Sequence, residues 1–139
     1  MIDRLKHIPL RDGLLEEWQN AWSRQDIEGI CAFFTEELQF EDVPLGLQAH
    51  TLEEFRNGIL VPTFAMIPDF GMEILDAHEG AGFVVTKWKI TGTATFKTER
   101  FDVKDFPFES IVTSIIQFDE EGKIRALSDN WDCSVFYRS

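Results

Sequence analysis

The spacing of apolar residues shifts from mainly helical to strand-like along this chain, and that change limits the folds open to it. Up to about residue 66, apart from an alternating stretch at Leu38–Asp42, the apolar side chains recur at helical spacing; beyond Pro68-Asp69 they alternate as in strands. Residues 11–24 predict a first helix, with Leu14, Leu15, Trp18, Ala21 and Trp22 on one face. Asp26 is placed to N-cap a short second helix carrying Ile27, Ile30, Cys31, Phe33 and Phe34, which Thr35-Glu36-Glu37 closes. Thr51-Leu52-Glu53-Glu54 is a capping pattern that opens a third helix to about Ala65. Pro62 inside it is expected to kink that helix or end it early, because proline has no N–H and crowds the preceding turn.

Strands are predicted at Gly71–His78, Phe83–Thr95, Glu109–Phe118 and Lys123–Trp131, after an earlier one through Leu38–Asp42. Glu79-Gly80-Ala81-Gly82 and Asp119-Glu120-Glu121-Gly122 read as hairpin turns, and residues 96–108 as a hairpin arm or loop. Three helices followed by an antiparallel meander predict an α+β fold: helices packed on one face of a strongly curved sheet, enclosing a conical cavity. At 139 residues and 44% hydrophobic content, residues 1–139 suffice for one domain with a real core.

Charge narrows the function. The net charge is −12 and no basic cluster stands ready to neutralise phosphates, which argues against nucleic acids and anionic membranes as partners. No apolar run approaches the length of a membrane span, and Met1-Ile2-Asp3-Arg4-Leu5-Lys6 has no signal-peptide hydrophobic region. Cys31 and Cys133 have no metal-type spacing and read as free thiols, so a cytoplasmic location is expected. There is no zinc motif, Gly-rich phosphate loop, nucleophile elbow or internal repeat, and no metal or cofactor is expected.

One residue breaks the apolar pattern. In Leu38-Gln39-Phe40-Glu41-Asp42-Val43-Pro44, alternation sets Leu38, Phe40 and Asp42 on one face. A carboxylate among apolar neighbours has its pKa raised, which is what proton transfer requires. The plainer reading is turn chemistry before Val43-Pro44-Leu45-Gly46. On the last strand Arg125, Leu127, Asp129 and Trp131 share one face, and Ala126, Ser128, Asn130 and Asp132 the other. Neither face is cleanly apolar, so either Asp129 or Asp132 could turn inward. Asp132 also suits an N-cap before Cys133-Ser134-Val135-Phe136.

Several pieces in order resemble the nuclear transport factor 2-like superfamily, and particularly its SnoaL-like polyketide-cyclase branch. They are Trp18 and Trp22, Asp26-Ile27-Glu28-Gly29-Ile30, and Phe33-Phe34-Thr35-Glu36-Glu37 leading into Phe40-Glu41-Asp42-Val43-Pro44. Further on come Pro68-Asp69, Trp88-Lys89-Ile90-Thr91-Gly92-Thr93, and Gly122-Lys123-Ile124 running into Trp131-Asp132. The resemblance implies a cone-shaped α+β barrel that often dimerises through its sheet, here as a homodimer. That fold hosts cyclases, isomerases, dehydratases and epoxide hydrolases as well as binding modules, so it does not fix the function.

Carried over residue by residue, the resemblance to ketosteroid isomerases sets Glu41-Asp42 at the catalytic-base position. Trp18 stands where those relatives keep a tyrosine, and Ser114 where they keep a protonated aspartic acid. Cyclase and limonene-epoxide-hydrolase relatives use a carboxylate near the end of the last strand. The resemblance to the epoxide hydrolases aligns Asp129 with theirs, while Trp131-Asp132 resembles the cyclase ending; Asp129 is slightly preferred. Arg100-Phe101-Asp102 resembles the epoxide-hydrolase Arg-x-Asp unit, but it falls outside the strand that carries the unit there; Trp88 and Ile90 occupy that place.

These readings converge on a split carboxylate pair, Asp42 with Asp129 or Asp132, one serving as base and the other as acid. Trp18, Asn130 or Ser114 would donate to a developing enolate oxygen. Phe40, Trp18, Trp88 and Trp131 would wall a pocket for a hydrophobic carbonyl substrate, and His50 would border its mouth. His78, in a hairpin, and His7 attract no role. The alternatives are epoxide opening, which needs Arg100 inside the cavity, and a non-catalytic binding or assembly module.

Overall fold

The computed structural model describes residues 10–138, so Met1–Lys6 and His7 lie outside it. Helix α1 (Leu14–Ser23) buries Leu14, Trp18, Ala21 and Trp22, one face at helical spacing. Burying each of the large side chains contributes roughly 1.5–3 kcal/mol. Helix α2 (Ile27–Cys31) is capped by Asp26, whose carboxylate accepts from Gly29 N–H at 3.0 Å. Strand β1 (Phe34–Asp42) and a short strand β2 (Leu47–Thr51) follow, the second of which the sequence pattern had not marked.

The third helix begins as read. Thr51 Oγ1 accepts from Glu54 N–H at 3.1 Å, and the Glu54 carboxylate reaches back to His50 N–H at 2.8 Å. It runs as α3 (Leu52–Phe55), a π turn (Arg56–Leu60) and α4 (Val61–Met66). Pro62 therefore neither ends nor breaks it. The wider turn just before proline shifts the hydrogen-bond ladder that the missing N–H would otherwise interrupt. At the following corner, Asp69 accepts from both Thr93 N–H and Thr93 Oγ1, at 2.6 and 2.9 Å, which ties Pro68-Asp69 to the sheet. Gly92 is needed there, because a Cβ would meet Ile67 Cγ2 at 2.3 Å.

Four long strands complete the chain: β3 (Gly71–Gly80), β4 (Phe83–Lys97), β5 (Asp102–Phe118) and β6 (Ile124–Trp131), before a 3₁₀ turn at Cys133–Arg138. The stretch 96–108 is mostly regular strand; only residues 98–101 form a turn. The six strands lie in the order β2-β1-β6-β5-β4-β3. Every pairing is antiparallel except β1 with β6, so the sheet is mixed and unclosed rather than wholly antiparallel. Three helices pack on its concave face and meet a core of Phe34, Phe55, Leu60, Trp88, Val112, Ile116 and Leu127.

Candidate active site

The parallel pairing of β1 with β6 decides the site. It aligns Asp42 directly with Asp129, and β5 in turn aligns Ser114 with Asp129 and Thr86 with Ser114. Residues opposite one another on neighbouring strands share a face. A polar row, Thr86–Ser114–Asp129–Asp42, therefore crosses an otherwise apolar concave surface. Thr86 and Ser114 are only 1% and 3% exposed.

A cavity of about 540 Å³ opens over this row. Trp18, Phe40, Trp88, Trp131, Ser114, Asp42 and Asp129 all line it. Its far wall comes from the third helix and the following corner, through Ile59, Pro62, Thr63, Met66 and Ile67. Sequence reading missed that wall, because a helical apolar stripe looks the same whether it faces side chains or empty space. Phe96, Phe101, Phe108 and Phe136 form an aromatic end, with Phe136 at centroid distances of 5.0, 5.8 and 4.9 Å from the other three.

Asp42 is half-buried and takes three contacts. Trp131 Nε1–H spans its two oxygens at 3.2 and 3.0 Å, and Leu45 N–H donates to Oδ1 at 3.1 Å. Both sequence readings of Asp42 are thus realised at once: it caps the turn and faces the cavity. Burial raises its pKa, and the indole and backbone N–H groups pull it part of the way back.

Asp129 is half-buried as a residue, and its carboxyl is the desolvated end. Burial drives its pKa up to about 7; the Ser114 hydroxyl opposes this shift, and the charge on Asp42 adds to it. Trp88 Nε1–H donates to Ser114 Oγ at 2.8 Å, and Ser114 Oγ–H donates to Asp129 Oδ1 at 2.6 Å. An indole can only donate, so Ser114 Oγ accepts from Trp88 and its own proton lies toward Asp129.

Other candidates lie elsewhere. Asp132 is exposed and accepts from Ser134 N–H at 2.9 Å, as a cap for the 3₁₀ turn. Asn130 is exposed on the outer face, where its amide lies 3.5 Å from Ser128 Oγ. His50 is exposed too, on an outer groove with Gln39 Oε1 at 3.1 Å, and does not border the cavity. Glu41 faces outward and accepts from Ser128 Oγ at 3.1 Å. Arg100 does line the cavity, held by Pro44 O and Tyr137 Oη, whereas Asp102 is exposed and not among the lining residues. The Arg-x-Asp unit is therefore not assembled as one site.

Residues 15–127 match the family model described as SnoaL-like domain. No curated protein matches the chain's sequence. Solved structures share the fold at low identity. A SnoaL-like polyketide cyclase from Agrobacterium tumefaciens is 18% identical over 94% of this chain and 98% of that one, with a TM-score of 0.75. A protein with a ketosteroid isomerase-like fold from Catenulispora acidiphila, solved with trimethylamine, is 17% identical over 92% and 91%, also with a TM-score of 0.75. An epoxide hydrolase from M. tuberculosis, similar to the limonene type, is 15% identical over 89% and 84%, with a TM-score of 0.68.

Proposed function

Because the chain belongs to the SnoaL-like domain family, we propose that it is a cofactor-independent enzyme performing acid/base chemistry on a hydrophobic carbonyl compound. Polyketide- or terpenoid-type cyclisation or isomerisation is the reaction class. The observation that carries this reading is the alignment of Asp42 with Asp129 at one apolar cavity, with Asp129 lifted to about 7. Burial, with a smaller contribution from the charge on Asp42, keeps the proton on Asp129 up to about pH 7, so just below neutral pH the pair holds one proton.

That proton distribution assigns the roles. Asp42, supported by two N–H donors, is the ionised base; Asp129 is the neutral acid. Asp42 removes a proton from the carbon beside the substrate carbonyl, and the C–H electron pair moves to form the enolate. Asp129 donates to the enolate oxygen. In an isomerisation Asp42 returns its proton to another carbon, and the carbonyl re-forms with its proton back on Asp129. In a cyclisation the enolate carbon attacks a second carbonyl; the proton on Asp42 goes to the new alkoxide, and Asp129 again recovers its own. The aromatic walls exclude water and hold a flat substrate.

Two lesser features extend this reading. Ile111 and Ile115 are exposed on the outer face of β5, at 43% and 38%, which supports pairing of two copies through the sheet. Cys31 and Cys133 are both free thiols, which supports a reducing, cytoplasmic location.

A test that needs no knowledge of the natural substrate is exchange of the α-protons of 2-tetralone in D₂O. Wild-type protein should accelerate exchange, with a rate that falls above about pH 7 as Asp129 loses its proton. Asp42→Asn should slow it by on the order of 100-fold or more, and Asp129→Asn should abolish the alkaline decline. Undiminished exchange in Asp42→Asn would rule the mechanism out.

A further inference from the structure

We infer that Arg100 recognises an anionic group on the substrate, so that the compound taken by the cavity is an apolar carboxylic acid bound with its acid group at the mouth. This inference rests on the proposed reading of the cavity as a substrate pocket, and adds a substrate class to it.

Arg100 sits in the turn between β4 and β5, whose backbone is fixed by Thr98. Thr98 Oγ1 accepts from Arg100 N–H at 3.2 Å and Phe101 N–H at 3.0 Å, while Thr98 N–H donates to Phe101 O at 2.7 Å. The guanidinium is then held by neutral groups alone. Nη1 donates to Pro44 O at 3.1 Å; Nη2 donates to Tyr137 Oη at 3.0 Å and to Cys133 Sγ at 3.4 Å. It also stacks over Phe101, 4.9 Å from the ring centroid. An arginine has five N–H groups, and these contacts engage three of them.

Charge makes this arrangement informative. The chain holds 25 acidic side chains against 13 lysines and arginines, so carboxylate partners are abundant. Among the described residues Arg100 forms no ion pair, and neither do Arg24 and Arg125. What sets Arg100 apart is that, among the described residues, it is the one lysine or arginine lining the cavity. A preorganised fork with an uncompensated charge at the edge of an apolar cavity is suited to carboxylate recognition.

Position fixes the geometry of the compound. Arg100 Nη1 donates to Pro44 O at 3.1 Å and Asp42 Oδ1 accepts from Leu45 N–H of the same peptide at 3.1 Å, so the cation is kept within about 9 Å of the base. An acid group at Arg100 therefore lies close to the carbon that loses its proton. Glu99, Thr98 and Thr63 also line the cavity, and the rest of the lining beyond the Asp42–Asp129–Ser114 row is mostly apolar, which fits a ring-bearing body.

The test compares 1-pyrenebutyrate with its neutral amide, which share an apolar body, by fluorescence titration. Wild-type protein should bind the acid roughly tenfold more tightly, as one charge-assisted hydrogen bond allows, and the difference should shrink in 1 M salt. Arg100→Gln should bring the acid down to the affinity of the amide and leave the amide unchanged; Arg100→Lys should keep part of the preference. Equal binding of acid and amide by wild type, which requires no variant to fold, would overturn the inference. So would equal weakening of both probes by Arg100→Gln, since that is the behaviour of a purely structural clamp. Failure of both probes to bind wild type would overturn the substrate-pocket reading itself. A loss of acid preference alone leaves that reading standing, because the titration of Asp129 is measured separately.

Discussion

At the scale of single residues, the proposed chemistry rests on Asp42 and on an Asp129 held by a Trp88–Ser114 line of hydrogen bonds. Asp42 was legible in the sequence because a lone carboxylate interrupted an apolar face. Asp129 was only half legible, since Arg125 and Asp129 on one face and Asn130 and Asp132 on the other left the inward side of β6 undecided. The structure turns Leu127, Asp129 and Trp131 inward and leaves Arg125 exposed. Ser114 was noticed as a substitution for an acid; its hydrogen bonds to Trp88 and Asp129 are cross-strand contacts that no sequence pattern reports. Ser114→Ala should therefore raise the Asp129 pKa above its wild-type value, because the hydroxyl is the group that lowers it. A pH-dependent carboxyl ¹³C titration reads this directly, and a purely structural serine would leave the value in place.

At the scale of elements, capping and turn signals transferred from sequence to structure almost unchanged. Asp26 and Thr51 cap the helices they precede, and Gly82 and Gly122 take the left-handed backbone that their hairpin turns demand, with φ of 77° and 84°. These are local signals, and local physics carries them. The parallel contact between β1 and β6 joins residues nearly ninety positions apart and leaves no mark within either strand. Strand β2 escaped notice because its outward residues are polar and only Ala49 is buried. Thr51→Ala should destabilise the protein by about 1 kcal/mol in a urea titration, since Glu54 N–H would lose its partner at the start of the third helix.

At the scale of the whole molecule, a curved unclosed sheet with three helices keeps an apolar cavity open next to two carboxyls, and that arrangement has a cost that pH reveals. An unfolded aspartate titrates near ~3.9 whereas Asp129 in the fold titrates at about 7. Between those values the folded protein holds a proton that the unfolded chain has released. Stability is fully present below the lower value and falls as pH rises through the upper one, by at most about 4 kcal/mol. The raised pKa of Asp42 acts in the same direction. Denaturant titrations from pH 5 to 9 should show wild type weakening, and Asp129→Asn should be flatter and more stable than wild type at pH 9. Fold and family were legible at this scale because the period change and the ordered motifs span nearly the whole chain. The mouth of the cavity was not, because Arg100 reaches it only when the β4–β5 turn folds over the C-terminal 3₁₀ turn.

The central claim is that Asp129 keeps its proton up to about neutral pH beside an ionised Asp42. The most direct measurement is the ¹³C titration of aspartate side-chain carboxyls in wild type and in Asp42→Asn. One carboxyl should titrate near pH 7 in wild type and move to lower pH in Asp42→Asn, because the neighbouring charge that helps to raise it is gone. Every aspartate carboxyl titrating below about pH 5 would contradict the account.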